Sequence, residues 1–378
     1  MALLNALLLS GLGLAVVTWL SPERRQHWIM ILGTAIFLGV VAPFSLLLLT
    51  LTTLSSYYLF QSGLSLTTAV LLLLLQNVTL FAFYKTGAGA ALAGPGDRLV
   101  PLGLSYYAFR QIHYGFERFK GKLPPHSLTD YVGYLFFLPT VLIGPIHRFG
   151  PYLRNAFRRR RDAQQWSEGL TRILYGYAKI VLIGQLLIST YWQLWAEGLA
   201  DHAPRWSAYW TLVCFYLDTY FQFAGYSDVA IGLALLLGYR VMENFHYPLL
   251  ARNINDFWNR WHISLSSWVR EYVFFPVTSI TRQPVAGILM TMLVIGLWHE
   301  ISGRYVAWGA YHGLGIAVWH LYNRSQVSNW LRTHLPGYRG LAILLTFQFV
   351  LFSFVIVRED NWRLMWQTYQ FILFGKFE

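Results

Sequence analysis

The chain has 378 residues, of which 56% are hydrophobic and only 12% are charged. Soluble domains carry about 25% charged residues, so this composition excludes an ordinary soluble protein and indicates a membrane protein. The net charge of +12 could suggest a nucleic-acid partner, but 16 Trp and 26 Phe place most of the mass in lipid. We therefore expect contact with membrane lipid and no nucleic acid.

Apolar stretches long enough to cross about 30 Å of hydrocarbon recur along the chain. They cover residues 3–20, 28–51, 64–84, 129–146, 173–196, 206–224, 226–242, 284–299, 303–322 and 338–357. These stretches predict an all-α polytopic membrane protein of about ten or eleven transmembrane helices, some interfacial, broken or re-entrant. The first stretch should remain as a helix, because it has neither a basic region before it nor a small-residue cleavage site after it.

Basic residues gather in short loops, at Arg24 and Arg25 and above all at 154–161. The positive-inside rule places these loops in the cytoplasm and the N-terminus outside. The four arginines that include Arg158 and Arg159 predict a topology anchor at the anionic inner leaflet. They are also a candidate docking surface for a phosphate-bearing donor or an acidic carrier protein.

The chain shows no internal repeat, low-complexity tract or long linker, so we expect a single membrane-embedded domain over residues 1–378. Polar interruptions at 85–97, 120–130 and 154–168 mark places where the backbone leaves the membrane or breaks within it. Irregular backbone at membrane depth is tolerated only where protein or a water-filled cavity surrounds it.

Residues 252–272 differ from the apolar stretches. Their large apolar side chains recur at the i, i+3, i+4, i+7 spacing of one helical face, and tryptophans favour the membrane–water boundary. The segment therefore predicts a helix that lies at the interface or lines a wet cavity. His262 lies one turn from Trp258 and Ser266, at the edge of the apolar face.

His299 closes an apolar run, residues 286–298, that contains no charged side chain. An ionisable group at membrane depth costs roughly 2.5–3.5 kcal/mol or more and indicates a functional site. Trp298, Glu300 and His312 supply hydrogen-bonding groups near it. A neutral imidazole in an apolar cavity can act as a general base for an alcohol or a thiol.

Other interpretations of the histidines stay open. A histidine on an apolar face is often a structural imidazole, and His262 could anchor its helix through a backbone carbonyl. We interpret His312 mainly as structural or cavity-lining. The chain has no zinc signature, Walker loop, dinucleotide-binding glycine pattern or nucleophile elbow, so we expect no metal and no tightly bound cofactor.

A function of another class would be a transporter or channel in which the histidines relay protons or bind substrate. Neither paired carboxylates nor hydropathy symmetry between the halves supports it.

Several ordered blocks of sequence resemble the membrane-bound O-acyltransferase family. They fall at 103–109, 144–149, 218–228, 243–248, 257–272, 296–299 and 308–313, within a motif-bearing core of about 100–320. The similarity is to the bacterial branch that contains alginate O-acetyltransferase membrane subunits and teichoic acid D-alanyl transfer proteins.

The resemblance implies a ring of helices around a central tunnel, with His299 as the catalytic residue and His262 as the second family position. It also implies transfer of an acyl group from a cytoplasmic thioester, either acetyl-CoA or an acyl carrier protein. The group would pass across the bacterial cytoplasmic membrane to a cell-surface polysaccharide, through an extracytoplasmic acyltransferase or hydrolase-like partner. Acetyl is the first choice and D-alanyl the alternative. The predicted substrate-binding residues are Trp298, Trp261, Asn259, Arg260, Ser266, Glu300, Arg158 and Arg159.

Two features depart from the family pattern. Glu300 stands where the family generally has a small residue, which bears on the pKa of His299 and on the width of the tunnel there. The chain ends soon after the apolar stretch near 341–357, earlier than alginate-type subunits do. That length favours the compact D-alanyl type.

Overall fold

A computed structural model describes residues 1–86 and 103–375. The described residues form helices and contain no β-strand, which confirms the all-α prediction for this part of the chain. The polar interruption predicted at 85–97 lies outside the described residues from 87 onward.

Contacts between helices divide the chain into two compact units. The first comprises residues 1–177 and 226–243. Its helices are α1 (Ala2–Leu20), α2 (Glu23–Val41), α3 (Pro43–Leu59), α4 (Leu66–Lys85), α5 (Leu104–Phe119), α6 (Leu128–Leu135), a 3₁₀ turn (Leu138–Thr140), α7 (Phe149–Arg158) and α8 (Ala163–Tyr177).

The second unit comprises residues 178–225 and 244–378. It begins with a π-helical stretch (Ala178–Trp192) and α9 (Gln193–Gly198), and α10 (Pro204–Leu236) contributes residues to both units. The remaining elements are a 3₁₀ turn (Pro248–Leu250), α11 (Ile254–Arg260), α12 (Ile263–Val269), a π turn (Arg270–Phe274), α13 (Phe275–Thr281), α14 (Pro284–His299), α15 (Gly303–Asn323), α16 (Gln326–His334), α17 (Tyr338–Arg358) and α18 (Trp362–Phe374).

Several of these helices have the length and composition of a membrane span. Among the described residues, four helices qualify, at Ala2–Leu20, Leu66–Lys85, Ala163–Gly198 and Tyr338–Arg358. Shorter apolar helices cover Pro43–Leu59 and Pro284–His299. The chain therefore has the apolar helices of a membrane protein, while the total of about ten or eleven spans and the ring around a tunnel stay predictions.

Four of the predicted stretches have clearly different bounds in the structure. The stretch 28–51 is divided at Pro43, because proline has no N–H to donate and disfavours helical backbone at the residue before it. The stretches 206–224 and 226–242 share one helix that runs through Gly225. The stretch 129–146 is α-helical only up to Leu135, within the helix Leu128–Leu135, and a 3₁₀ turn containing Pro139 follows.

Helices α14 and α15 pack closely because glycines face the partner backbone. A Cβ atom at Gly296 would lie 2.2 Å from the carbonyl oxygen of Tyr305, and one at Gly309 would lie 2.6 Å from that of Met292. Gly309 and Gly313 are spaced by four residues, the small-residue pattern that lets membrane helices approach each other. This close approach brings the C-terminal end of α14 against the first turns of α15.

Candidate active site

The segment 252–272 is two short helices, so the prediction of one helix was wrong. α11 ends at Arg260, Trp261 is extended, and His262 has a left-handed backbone with φ 45° and ψ 52°. Residues 244–246 cause the break by pairing with the exposed backbone. The N–H of Ile263 donates to the carbonyl oxygen of Asn244 at 2.9 Å, and that of His246 donates to Arg260 at 2.9 Å.

Asn244 sets the orientation and the tautomer of the His262 imidazole. Its Oδ1 accepts hydrogen bonds from the backbone N–H of Ser264 at 3.3 Å and from the Ser264 hydroxyl at 2.8 Å. That oxygen also lies 3.1 Å from Nδ1 of His262. Because Oδ1 can only accept, Nδ1 must carry the hydrogen. In the neutral ring, Nε2 is then a bare lone pair.

His262 and Asn244 are both buried, with 2% and 0% of their surfaces exposed. Nε2 of His262 has no hydrogen-bond partner among the described residues. Burial, and secondarily the neighbouring His299, lowers the pKa of His262 to about 3. At neutral pH the ring is uncharged, so it can accept a hydrogen bond but is a weak proton acceptor.

His299, unlike His262, is exposed. We expected it inside an apolar cavity, and the structure corrects this, because His299 is the last residue of α14 and its side chain emerges where the helix ends. Its ring contacts Trp298, Tyr305 and Trp308, with centroid distances of 4.5, 5.7 and 5.5 Å. Trp298 also lies 6.1 Å from the ring of His262, so one indole contacts both histidines.

Glu300, which follows α14 directly, forms an ion pair with Arg304 in the first turn of α15. Its carboxylate accepts from Nη2 of Arg304 at 3.1 Å, and Nη1 of Arg304 donates to the carbonyl oxygen of Ile356 at 3.3 Å. Arg304 thereby joins the start of α15 to the C-terminal end of α17, and Glu300 pairs with that arginine. Contact of Glu300 with substrate stays a prediction.

A buried aromatic group continues from His299 along α15. The ring centroids of His312 and Trp308 are 4.5 Å apart, and Trp258 on α11 lies 5.4 Å from His312 and 5.8 Å from Trp308. All three side chains are buried. His312 is therefore part of the same cluster as His299.

A cavity of about 510 Å³ lies beside this cluster. Trp258, Ile295 and Ile316 line its apolar part. Its polar lining contains no carboxylate and consists of Asn255, Asn259, Ser266, Arg270, Thr291, His320 and Arg324. A cavity with an apolar wall and a few basic groups is suited to a ligand that combines an anionic end with an apolar arm.

The other predicted substrate-binding residues lie apart from this cavity's lining. Arg260 pairs with Asp256 at 2.7 Å. Trp261 stacks on Phe257 with centroids 5.4 Å apart. Their contact with substrate stays a prediction.

The two predicted arginines belong to the first unit. Arg158 is exposed. Arg159 donates to Gln26 and to Sδ of Met30, and its guanidinium lies over the ring of Trp19. Contact of Arg158 and Arg159 with a donor stays a prediction.

Among the described residues, no group of three or more His, Cys, Asp or Glu side chains could hold a metal ion.

Comparison with known proteins matches residues 49–357 to the membrane-bound O-acyltransferase family. The chain belongs to this family. A probable alginate O-acetylase of Pseudomonas aeruginosa is 33% identical over 282 residues, which cover 72% of this chain and 51% of that protein. The resemblance predicted from the sequence blocks is confirmed.

Two further relatives differ in the polymer that they are named for. The teichoic acid D-alanyltransferase of Bacillus subtilis is 30% identical over 283 residues, which cover 69% of each chain. The peptidoglycan O-acetyltransferase of Helicobacter pylori is 26% identical over 331 residues, covering 76% of this chain and 61% of that protein. The chain spans about half the length of the alginate relatives that it matches.

Within this member of the membrane-bound O-acyltransferase family, the structure adds residues that the sequence did not predict. Asn244 and Trp308 stood only as parts of matching blocks, and Trp258 appeared as an apolar position of a helical face. In the sequence, Asn244 is a single amide side chain between Glu243 and Phe245. No spacing pattern relates it to His262.

Proposed function

We propose that the chain is an acyltransferase that passes a small acyl group, acetyl by first choice, from a thioester to an acceptor hydroxyl on the route towards a cell-envelope polysaccharide. Family membership supports acyl transfer, and the matched relatives are named for alginate, peptidoglycan and teichoic acid. The observation that carries the proposal is the pairing of His262, held neutral and oriented by Asn244, with an accessible His299 nearby.

In this proposal His299 is the general base. Its exposed imidazole can be reached by an incoming hydroxyl, whereas His262, with a pKa of about 3, is too weak a base at neutral pH. The lone pair on Nε2 of His262 instead accepts a hydrogen bond from a reactant and orients it. Both histidines thus act on the same transfer in different roles.

The transfer needs no covalent enzyme intermediate. His299 takes the hydroxyl proton while the oxygen forms a bond to the thioester carbon. The carbon–sulfur bond then breaks, its electron pair goes to sulfur, and the proton passes from His299 to the thiolate. A thiol of pKa near 8.5 is a good leaving group, so neither a serine nor Cys214, which is buried, has to act as nucleophile.

The cavity beside the cluster is the proposed donor site. Acetyl-CoA and acyl carrier proteins share a phosphopantetheine arm, in which a phosphate is joined to a long arm that ends in the thioester. Arg270 and Arg324 can bind the phosphate, and the apolar wall leads to Trp258. The donor is a substrate, and no tightly bound cofactor is required.

The proposed setting is the bacterial cytoplasmic membrane. The basic segment at 154–161, which comprises the end of α7 and the residues directly after it, would face the cytoplasm and contact anionic lipid or an acidic carrier protein. An extracytoplasmic partner, itself an acyltransferase or hydrolase-like protein, would receive the acyl group for delivery to the polymer.

D-alanyl transfer is the second candidate. The match to the Bacillus subtilis D-alanyltransferase, which covers 69% of that protein, favours it. Its donor would be a D-alanyl carrier protein.

The donor can be identified with labelled thioesters. Membranes that contain the protein and its native polymer would be given labelled acetyl-CoA or a labelled D-alanyl carrier protein, with membranes lacking the protein as control. Acetyl label on polymer hydroxyls is expected. Transfer from the D-alanyl carrier alone would reverse the order of the two candidates. Transfer from neither thioester, with proton or solute flux through reconstituted protein, would overturn the proposal in favour of a transporter.

A further inference from the structure

Three buried side chains beside His299 carry N–H groups that the fold does not use. The exposed fractions of Trp258, Trp308 and His312 are 7%, 6% and 1%. Neither the indole nitrogens nor the two ring nitrogens of His312 have a hydrogen-bond partner among the described residues. A buried donor without a partner costs about 1–3 kcal/mol, so three such donors in one cluster are an unusual concentration of unsatisfied polarity.

The rings of these three side chains form one cluster in the second unit. Trp258 and Trp308 meet edge to face, and each contacts the ring of His312. The cluster adjoins both the proposed general base and the proposed donor cavity. Trp308 contacts His299, and Trp258 lines the donor cavity.

The donors are held rigidly. Trp308 and His312 lie one turn apart on α15, whose backbone is fixed against α14 at Gly309. Trp258 lies on α11, which is anchored at its N-terminus by the Asn253 side chain accepting from the N–H of Asp256 at 2.8 Å. Preorganised donors in a water-poor site are the arrangement that stabilises a developing oxyanion.

We propose that Trp258, Trp308 and His312 bind the carbonyl oxygen of the acyl donor. This proposal rests on the proposed function, because it assumes a thioester in the adjacent cavity. The indole nitrogens can only donate, which suits an acceptor with lone pairs and no proton. His312 supplies a third N–H from whichever ring nitrogen faces the oxygen.

The proposed role is to stabilise the negative charge that develops on the carbonyl oxygen during the transfer. When the hydroxyl oxygen attacks the carbonyl carbon and its proton goes to His299, the carbonyl π pair moves onto oxygen. The N–H groups of Trp258, Trp308 and His312 stabilise this charge. When the pair returns to re-form the carbonyl, the carbon–sulfur bond breaks, and the thiolate takes the proton from His299.

Two probes that differ only in the carbonyl oxygen measure the contribution of that oxygen to binding. S-acetyl-4′-phosphopantetheine carries the arm shared by both donor types, and its S-ethyl thioether lacks only that oxygen. Binding of each to the purified full-length protein would be measured for wild type, Trp308→Phe, Trp258→Phe and His312→Phe. Trp268→Phe, which removes a buried indole whose ring lies tilted against Tyr272 at a centroid distance of 5.0 Å, is the matched control.

Each of the three variants should weaken binding of the acetyl probe by about three- to tenfold and leave binding of the thioether unchanged. Each should also lower kcat for acyl transfer by roughly 10²–10³-fold, whereas Trp268→Phe should alter neither. Equal effects on both probes, or unchanged binding and kcat in folded Trp308→Phe and Trp258→Phe, would overturn the carbonyl site and leave the acyltransferase proposal standing. If wild type binds neither probe, the thioester cavity fails, and with it this proposal.

A packing role would give a different result. If the indoles act only through N–H contacts to neighbouring aromatic faces, the same variants lower the unfolding temperature and affect both probes alike. Unfolding temperatures measured on the same samples therefore separate the two roles.

Discussion

The buried amide of Asn244 holds the imidazole of His262 at 3.1 Å, at a residue whose backbone has a left-handed conformation. Such a conformation is costly for a residue with a side chain, and it persists only where the surroundings impose it. Here the backbone pairing of 244–246 with the chain around His262 imposes it. The fold thus fixes both the position of the imidazole and the nitrogen that carries its hydrogen.

Replacing Asn244 should impair catalysis more than donor binding. Asn244→Leu removes the acceptor for Nδ1, so the ring loses its orientation, and kcat should fall by about 10²-fold with little change in KM for the donor. Asn244→Asp keeps an acceptor oxygen, but its charge would raise the pKa of His262. As pH falls, that variant should therefore lose its activity at a higher pH than wild type does. A folded Asn244→Leu protein with wild-type kcat would show that the hydrogen bond has no catalytic role.

The free energy of unfolding should decrease as pH falls, because His262 is protonated more readily in the unfolded chain. Its pKa is about 3 in the folded protein and about 6.5 when unfolded, so between these values the unfolded chain binds the additional proton. The stabilisation is present above about pH 6.5 and is lost as pH falls towards 3, by at most about 1.4 kcal/mol per pH unit. Thermal unfolding in detergent from pH 7 to 4 should show a smaller decrease for His262→Gln, while exposed His334→Gln should match wild type. Equal slopes for all three proteins would contradict this.

The contact of α14 with α15 should not tolerate a side chain at Gly309. Gly309→Ala places a Cβ against the Met292 carbonyl, and the resulting strain should destabilise the protein by about 1–3 kcal/mol. Gly340→Ala, at a helical position with nothing within 4 Å of the added Cβ, is the matched control. Unfolding temperatures in detergent would be compared. If both variants unfold together with wild type, the close contact of the two helices is not required.

The basic end of the cavity should contribute to donor affinity. Arg270→Gln and Arg324→Gln should each raise KM for acetyl-CoA by about tenfold and leave kcat nearly unchanged. S-acetylpantetheine, which lacks the phosphate, should show no such increase. Arg363→Gln, an exposed arginine of the same unit outside the cavity, is the control. An equal rise in KM for the probe without phosphate would exclude phosphate binding at these residues.

The sequence predicts the helices well where one apolar run has clear ends. The predicted stretches 303–322 and 338–357 differ from α15 and α17 by a single residue at the C-terminal end. The sequence does not predict helix boundaries that tertiary contacts determine. The helical spacing continues through His262, and only the pairing with 244–246 breaks it. Gly225 marked a boundary in the sequence, yet packing carries α10 through it at a cost of about 1 kcal/mol.

The candidate site divides in the same way. The sequence indicated His262 and His299 because both lie among apolar and aromatic residues, and the structure places both in contact with Trp298. The predicted stretch 284–299 ends at His299, as α14 does, but the sequence did not indicate that the side chain of His299 is exposed there. Nor could it connect Asn244 to His262, because that contact spans 18 residues.

The role of His299 as general base is the central claim, and loss of that base tests it most directly. Acetyl transfer from labelled acetyl-CoA to the native polymer would be measured in membranes with equal amounts of folded wild-type, His299→Ala and His299→Gln protein. Both variants should lose about 10²–10⁴-fold in rate, because an amide can form hydrogen bonds but cannot take the proton. A folded His299→Ala protein that keeps about half of the wild-type rate or more would contradict the account.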